Sequence, residues 1–273
     1  MKFNGVVFVL VSFYAVAMEI PIPSRTSVAA LRDRIAKIER RGGRSKRPTL
    51  PIGVAEIEAH LPDAGLACGT LHEVFARHND DRPGALGFAF SVMASALAQR
   101  HGHAFFIASY RALRDFGRPF GNGLRHLGVD PARLVMVEAR SAKDALWALE
   151  EVLRSSTQPA FALGAIDGDV DLTASRRLNL AAEAHATPLM VVRSAKTGTN
   201  AAATRWVSSA LPAARDYAGA FAHPRWRMTL ERCRNGRPGC WPIEWTHDTY
   251  RFRLAEGVAD SAACSEPSLR SAV

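Results

Sequence analysis

The chain has little lysine: five of its 35 basic residues, namely Lys2, Lys37, Lys46, Lys143 and Lys196. None lies between Lys46 and Lys143, and no G-K-[ST] step occurs. That step lets a glycine loop cradle phosphates while its lysine meets their charge. Cysteine is also sparse. Cys68, Cys233, Cys240 and Cys264 show no C-x-x-C spacing, so no zinc site is expected. Cys233 and Cys240 could face each other across a hairpin, although a free buried pair suits a cytosolic protein better. No G-x-S-x-G elbow or other hydrolase signature is present.

What is there fits a folded domain. The 273 residues can bury one sizeable core with arms to spare. A hydrophobic content of 48% against 22% charged excludes a disordered chain. The net charge of +9 suits a polyanion or an acidic partner without pointing to a site. Residues 1–17 have the parts of a signal peptide: Lys2, the apolar run Val6–Val11 and an Ala15-x-Ala17 pattern. They are too short for an ordinary membrane span. A strand-like arm and a true start at Met18 are competing readings, and nothing downstream looks secreted. Cytoplasmic location, with no membrane contact, is therefore expected.

Residues 18–48 read as an amphipathic helix and a basic linker. Val28, Leu31, Ile35 and Ile38 recur at helical spacing after Ser27, a suitable cap, and Gly42 to Pro48 is rich in breakers. This candidate interface helix either docks on a neighbour or packs on its own domain. Residues 49–255 carry the core, and 256–273 read as a frayed tail.

Within the core, strands and helices alternate. Strands are expected at Leu71–Phe75, Ala104–Ala108, Leu134–Val137, Ala160–Leu163 and Leu189–Val192. Between them lie a polar loop from Arg77 to Gly84, a helix with Leu86, Phe90, Met93 and Leu97 on one stripe, and a short helix near Leu124. A further helix opens at Ser141 and another runs from Thr173 to His185. Continuous apolar strands in βα units imply an α/β fold with a parallel sheet covered on both faces. The last third turns to strands at 204–211, 225–234, 241–245 and 250–254, with a turn at Asn235-Gly236-Arg237-Pro238-Gly239. These form an antiparallel set at the sheet edge.

This order resembles the RecA-like core of the P-loop NTPases. The segment from Gly53 to Val74 looks like the approach to its first core strand, Leu127 to Leu134 like the turn into a later one, and Asp167 stands where a Walker B strand would end. More specifically, Leu71-His72-Glu73, Asp171 to Leu178 and the hairpin from Arg225-Trp226-Arg227 to Trp241-x-x-Glu244-Trp245 resemble the ImuA family, over residues 27–247. The hairpin is the most specific part.

The nucleotide loop departs from an active ATPase. Arg77, Asp80, Asp81, Arg82 and Gly84 occupy it, with no glycine cradle and with two aspartates placed to repel a triphosphate. Arg77 and Arg82 are read as solvated charges and Asp167 as a strand end. No catalytic residue, cofactor or metal is expected. Asp167, Asp169 and Asp171 alternate as in a calcium loop but lack its glycine and glutamate; Asp171 is a helix cap. His101 and His103 are read as turn residues.

The C-terminal strands alternate arginine with tryptophan. Arg205, Arg225, Arg227, Arg232, Arg234 and Arg237, with Trp226 and Trp241, are candidate partner- or DNA-binding residues. Alternation sends Arg225 and Arg227 to one face and Trp226 to the other, where the tryptophans either stack on bases or fill the core. The resemblance implies a non-catalytic adaptor in DNA-damage-induced translesion synthesis. It would act with an ImuB-type Y-family polymerase relative, with an error-prone C-family DNA polymerase complex and with RecA. An ATPase with an unusual phosphate loop and a SulA-like division inhibitor are the alternatives.

Overall fold

The computed structural model describes residue 30 and residues 47–194, 198–213 and 223–256. Backbone contacts divide the chain into two units, Met1–Ser45 and Lys46–Val273. In the first, only Ala30 is described, as an exposed helical residue. The positions Val28, Leu31, Ile35 and Ile38 lie outside the described residues, as do residues 1–17 and those after Glu256.

The second unit begins with a small antiparallel pair, β1 (Thr49–Leu50) and β2 (Leu66–Ala67), flanking α1 (Ala55–Glu58). The main sheet has nine strands. Six run parallel: β3 (Leu71–Ala76), β4 (Ala104–Ser109), β5 (Leu134–Ala139), β6 (Phe161–Ile166), β7 (Leu189–Arg193) and β8 (Thr204–Leu211). Three antiparallel strands follow, β9 (Arg225–Cys233), β10 (Gly239–Thr246) and β11 (Arg251–Leu254). The spatial order is β11-β10-β9-β8-β3-β7-β6-β4-β5. The antiparallel addition thus starts at β9, because β8 pairs parallel with β3.

Helices cover both faces of the parallel part. On one face α2 (Arg82–Gln99) packs with α3 (Tyr110–Phe116), α4 (Gly121–His126) and the β1–α1–β2 segment; on the other lie α5 (Ala142–Arg154) and α6 (Leu172–Glu183). All six residues of β6 are buried, as a strand sandwiched on both sides requires. Helix α2 buries more than the expected stripe, since Phe88 meets Trp206, Trp226 and Phe252 while Phe90 meets Phe106.

Two boundaries differ from the sequence expectation. Helix α2 begins at Arg82, with Pro83 in its first turn where a fixed φ is compatible with helix and a missing N–H costs nothing. Helix α3 fills what reads as loop, started by Ser109, whose hydroxyl accepts from the Ala112 amide at 3.2 Å. The caps at Ser141 and Asp171 are as expected, each side chain accepting from a first-turn amide. No helix among the described residues is long and apolar enough to cross a membrane.

Candidate functional site at the carboxyl end of the sheet

In a parallel sheet ligands collect beyond the carboxyl ends of the strands, where one strand's connections diverge. Here that strand is β3, held between β7 and β8. The turn leaving it places the predicted loop residues in three different settings. Asp81 is buried and does not face a phosphate position. One carboxylate oxygen accepts from the Ala210 amide at 2.8 Å, and the other accepts from the His78 amide at 3.1 Å. Its expected repulsion of a triphosphate is therefore corrected: the charge is spent stitching the turn to β8. Of the two aspartates only Asp80 is exposed.

Arg82 and Gly84 belong to α2 rather than to the loop. Arg82 pairs with Asp115 at 3.4 Å. Gly84 faces Trp226, whose indole nitrogen would lie 3.4 Å from an added Cβ, so its small size serves helix–sheet packing. Arg77 donates to Ser209 at 3.1 Å, and so it too has a partner rather than being purely solvated. Beside this turn lies a cleft of about 310 Å³ lined by Phe75, Arg77, His78, Arg82, Ser194 and Glu231 among others.

The three aspartates of 167–171 diverge. Asp167 accepts from the Ser109 hydroxyl and lies 3.9 Å from Arg111. Asp169 pairs with Arg193 at 2.8 Å, and Asp171 caps α6. Their different partners pull the carboxylates apart, and no metal-competent group of three ligating side chains occurs among the described residues.

A buried carboxylate, read in the sequence only as part of Leu71-His72-Glu73 and given no role there, organises the middle of the sheet. Glu73, fully buried in β3, accepts from Arg193 at 2.7 Å, from Asn200 and from Arg205 at 3.3 Å. Arg193 is equally buried and also reaches Asp169 and the Gly168 carbonyl. Both guanidinium groups lie over the Phe75 ring, at 5.3 and 5.5 Å. Arg232 extends the cluster to Asn200 and to the Ala202 carbonyl. Burial, and then the Arg205 cation, pull the Arg232 pKa below its ordinary value, opposed by Glu73. A signal was available: an acidic residue inside an apolar strand needs a buried cation.

The C-terminal arginines are largely used inside the protein. Arg205 and Arg232 serve the Glu73 cluster. Arg225 and Arg253 both donate to Glu244, the former at 2.6 Å. Arg237 donates to the Ala59 carbonyl. Arg227, Arg234 and Arg251 form no ion pair among the described residues. The strand alternation is as expected, with Trp226 opposite its arginine neighbours in β9, but both tryptophans are core. Trp226 is 3% exposed and Trp241 8%. Of the two readings left open for them, the structure supports the core: Phe88 and Phe252 pack against Trp226, and Trp206 and His60 against Trp241, so neither ring is open to stack on a base.

The hairpin between β9 and β10 is clasped to α1. The Arg237 amide donates to the His60 carbonyl at 2.9 Å, and His60 Nδ1 meets the Pro238 carbonyl at 2.9 Å. Cys240 lies opposite Thr229 rather than Cys233. Cys68, Cys233 and Cys240 are free, and burial pushes the Cys233 thiol up to about 11, so it stays protonated near neutral pH.

No protein-family model matches the chain. It is similar to the proteins called "Protein ImuA" from two strains of Caulobacter vibrioides. Each is 36% identical over 236 residues, covering 80% of this chain and 93% of the relative. Identity at that level, over most of this chain and nearly the whole of the relatives, shows the family: the chain belongs to the ImuA family.

Proposed function

We propose that this protein is a non-catalytic, RecA-like adaptor of damage-induced translesion synthesis, acting in the cytoplasm through binding rather than turnover. Its partners are an ImuB-type polymerase relative, the error-prone C-family DNA polymerase complex and RecA. One observation carries the non-catalytic part: the turn after β3 has no cradle for a triphosphate. Its one buried carboxylate is tied to the amides of Ala210 and His78, the turn itself contains no lysine, and Gly84 at the start of α2 packs on Trp226. The Walker-B-like Asp167 is likewise occupied by Ser109 and Arg111. A strand–turn–helix unit set inside a parallel sheet supports the RecA-like reading, and kinship with ImuA proteins supports the mutagenesis role.

Two measurements test this reading. The full chain, co-expressed with an ImuB-type protein, is expected to co-purify with it at moderate salt, and separately to retain RecA. Incubated with ATP and magnesium, it is expected to release no phosphate above background. Failure to hold either partner removes the adaptor role. Hydrolysis abolished by Asp167→Ala would establish an ATPase with an unusual phosphate loop instead.

A further inference from the structure

Exposed aromatic rings beside arginines, one of the two readings of the C-terminal strands, occur instead at the opposite end of the sheet. Tyr110 is 49% exposed and Phe120 70%. The ladder gathers them. Strands β4 and β5 pair in parallel so that Ala108 faces Glu138 and Ser109 faces Ala139, which sets Tyr110 beside Arg140 at the strand ends. Arg118 donates to Glu138, which draws the segment from Gly117 to Gly123 over the same end, with Phe120 two residues on. Arg111 follows Tyr110 in α3, its side chain 71% exposed.

The charges here differ from those around Glu73 and Glu244. Arg114, Arg140 and Lys143 are exposed and have no ion pair among the described residues. The nearby carboxylates already have partners: Asp115 has Arg82, Glu138 has Arg118, Asp144 has Ser141, and Asp167 has Ser109 with Arg111 at 3.9 Å, a contact that leaves the Arg111 side chain mostly in solvent. An added Cβ at Gly121 or Gly123 would meet nothing within 4 Å, so the backbone at Phe120 is open to approach. A polyanion is the complementary charge. The rings narrow the class further. Unpaired bases offer π-faces to exposed aromatic side chains while their phosphates meet the guanidinium groups; a duplex hides those faces.

We propose that this edge, formed by Tyr110, Phe120, Arg111, Arg114 and Arg140, binds single-stranded nucleic acid without sequence preference. The proposal goes beyond the adaptor reading and does not require it.

The test is fluorescence anisotropy of a labelled oligothymidylate with the full chain across a salt series. Phe120→Ala and Tyr110→Ala are each expected to weaken binding about 5- to 150-fold, the range for loss of one stacked base. The double variant Arg114→Ala/Arg140→Ala is expected to lower the log–log salt slope by about 1.4, from two lost phosphate contacts on a single strand. These side chains are exposed, and unchanged melting curves check that each variant is folded. Arg227→Ala, on the far strands, is expected to leave affinity and slope unaltered. No binding by the parent chain, equal binding of duplex, or displacement by polyglutamate with no effect of the ring variants would each overturn the proposal. Co-purification of Phe120→Ala with the ImuB-type protein is expected to persist, so loss of DNA binding and loss of the adaptor role are read separately.

Discussion

His72 and Trp206 are joined through one hydroxyl. The indole N–H of Trp206 donates to Thr204 Oγ1 at 2.9 Å, and that oxygen lies 2.7 Å from His72 Nδ1. His72 Nε2 lies 2.9 Å from the Ala67 carbonyl, which can only accept. The chain closes if Nε2 carries the proton and Nδ1 accepts from Thr204, a neutral tautomer with every polar atom satisfied. Burial pushes the His72 pKa down to about 4, against the smaller opposing pull of Ala67.

This arrangement makes stability fall in mild acid. The unfolded chain takes up the proton near the ordinary histidine value of 6.5, the folded protein only near 4. In that window the unfolded state binds more protons, so stability declines as pH falls through it and the loss is complete below about 4. Urea unfolding at neutral pH and near pH ~4.5 is expected to show a drop about 2 to 3 kcal/mol larger than in His72→Gln, which cannot be protonated. Equal drops in the two proteins would exclude a neutral buried His72.

The Glu73–Arg193 pair predicts strong coupling. Both side chains are fully buried, so removing one strands its partner's charge away from water. Arg193→Leu and Glu73→Leu are each expected to cost about 3 to 5 kcal/mol in urea unfolding. The double variant is expected to cost at least about 1 kcal/mol less than their sum, because Arg205 can turn its charge to solvent. Strict additivity would show that the pair does not act as a unit.

How much of this is legible in the sequence depends on how far apart the interacting residues lie. The parallel strands announce themselves as apolar runs, and the alternation of Arg225, Trp226 and Arg227 fixes their faces, because both are local regularities. The use of the arginines is not local. Glu73 meets Arg193 and Arg205 across separations of 120 and 132 residues, and only the strand order brings them together. Helix α3 is hidden for a different reason: Ala112, Leu113 and Phe116 are buried, but Arg111, Arg114 and Asp115 break so short a stripe. Asp81 looks like part of an acidic loop until β8 arrives to present the Ala210 amide.

Asp81 yields a prediction that separates a structural clamp from a phosphate repellent. Removing its carboxylate in Asp81→Ala strips the acceptor from two amides and is expected to cost about 1 to 3 kcal/mol. Faster hydrogen exchange is expected at Ala210 and His78. A repellent role would give the opposite pattern, with unchanged stability and newly measurable ATP binding.

The hairpin clasp makes the β9–β10 turn intolerant of a single methyl group. A Cβ on Gly239 would lie 2.2 Å from Trp241 Cη2 and 3.0 Å from His60 Nδ1, while one on Gly236 would fall 2.4 Å from both Cys233 Sγ and the His60 carbonyl. Neither the Trp241 ring nor the His60 backbone just after α1 can give way freely: the ring is buried against Trp206 and His60, and His60 is bonded to Arg237 and Pro238. Gly239→Ala and Gly236→Ala are therefore expected to destabilise by about 1 to 3 kcal/mol, the range for overpacking. Gly123→Ala, in α4 with open space around it, is expected to stabilise by up to about 1 kcal/mol through helix propensity. Thermal melts of the three variants separate the two cases. If Gly239→Ala melts with the parent, the hairpin moves independently of α1 and the clasp is not part of the folded core.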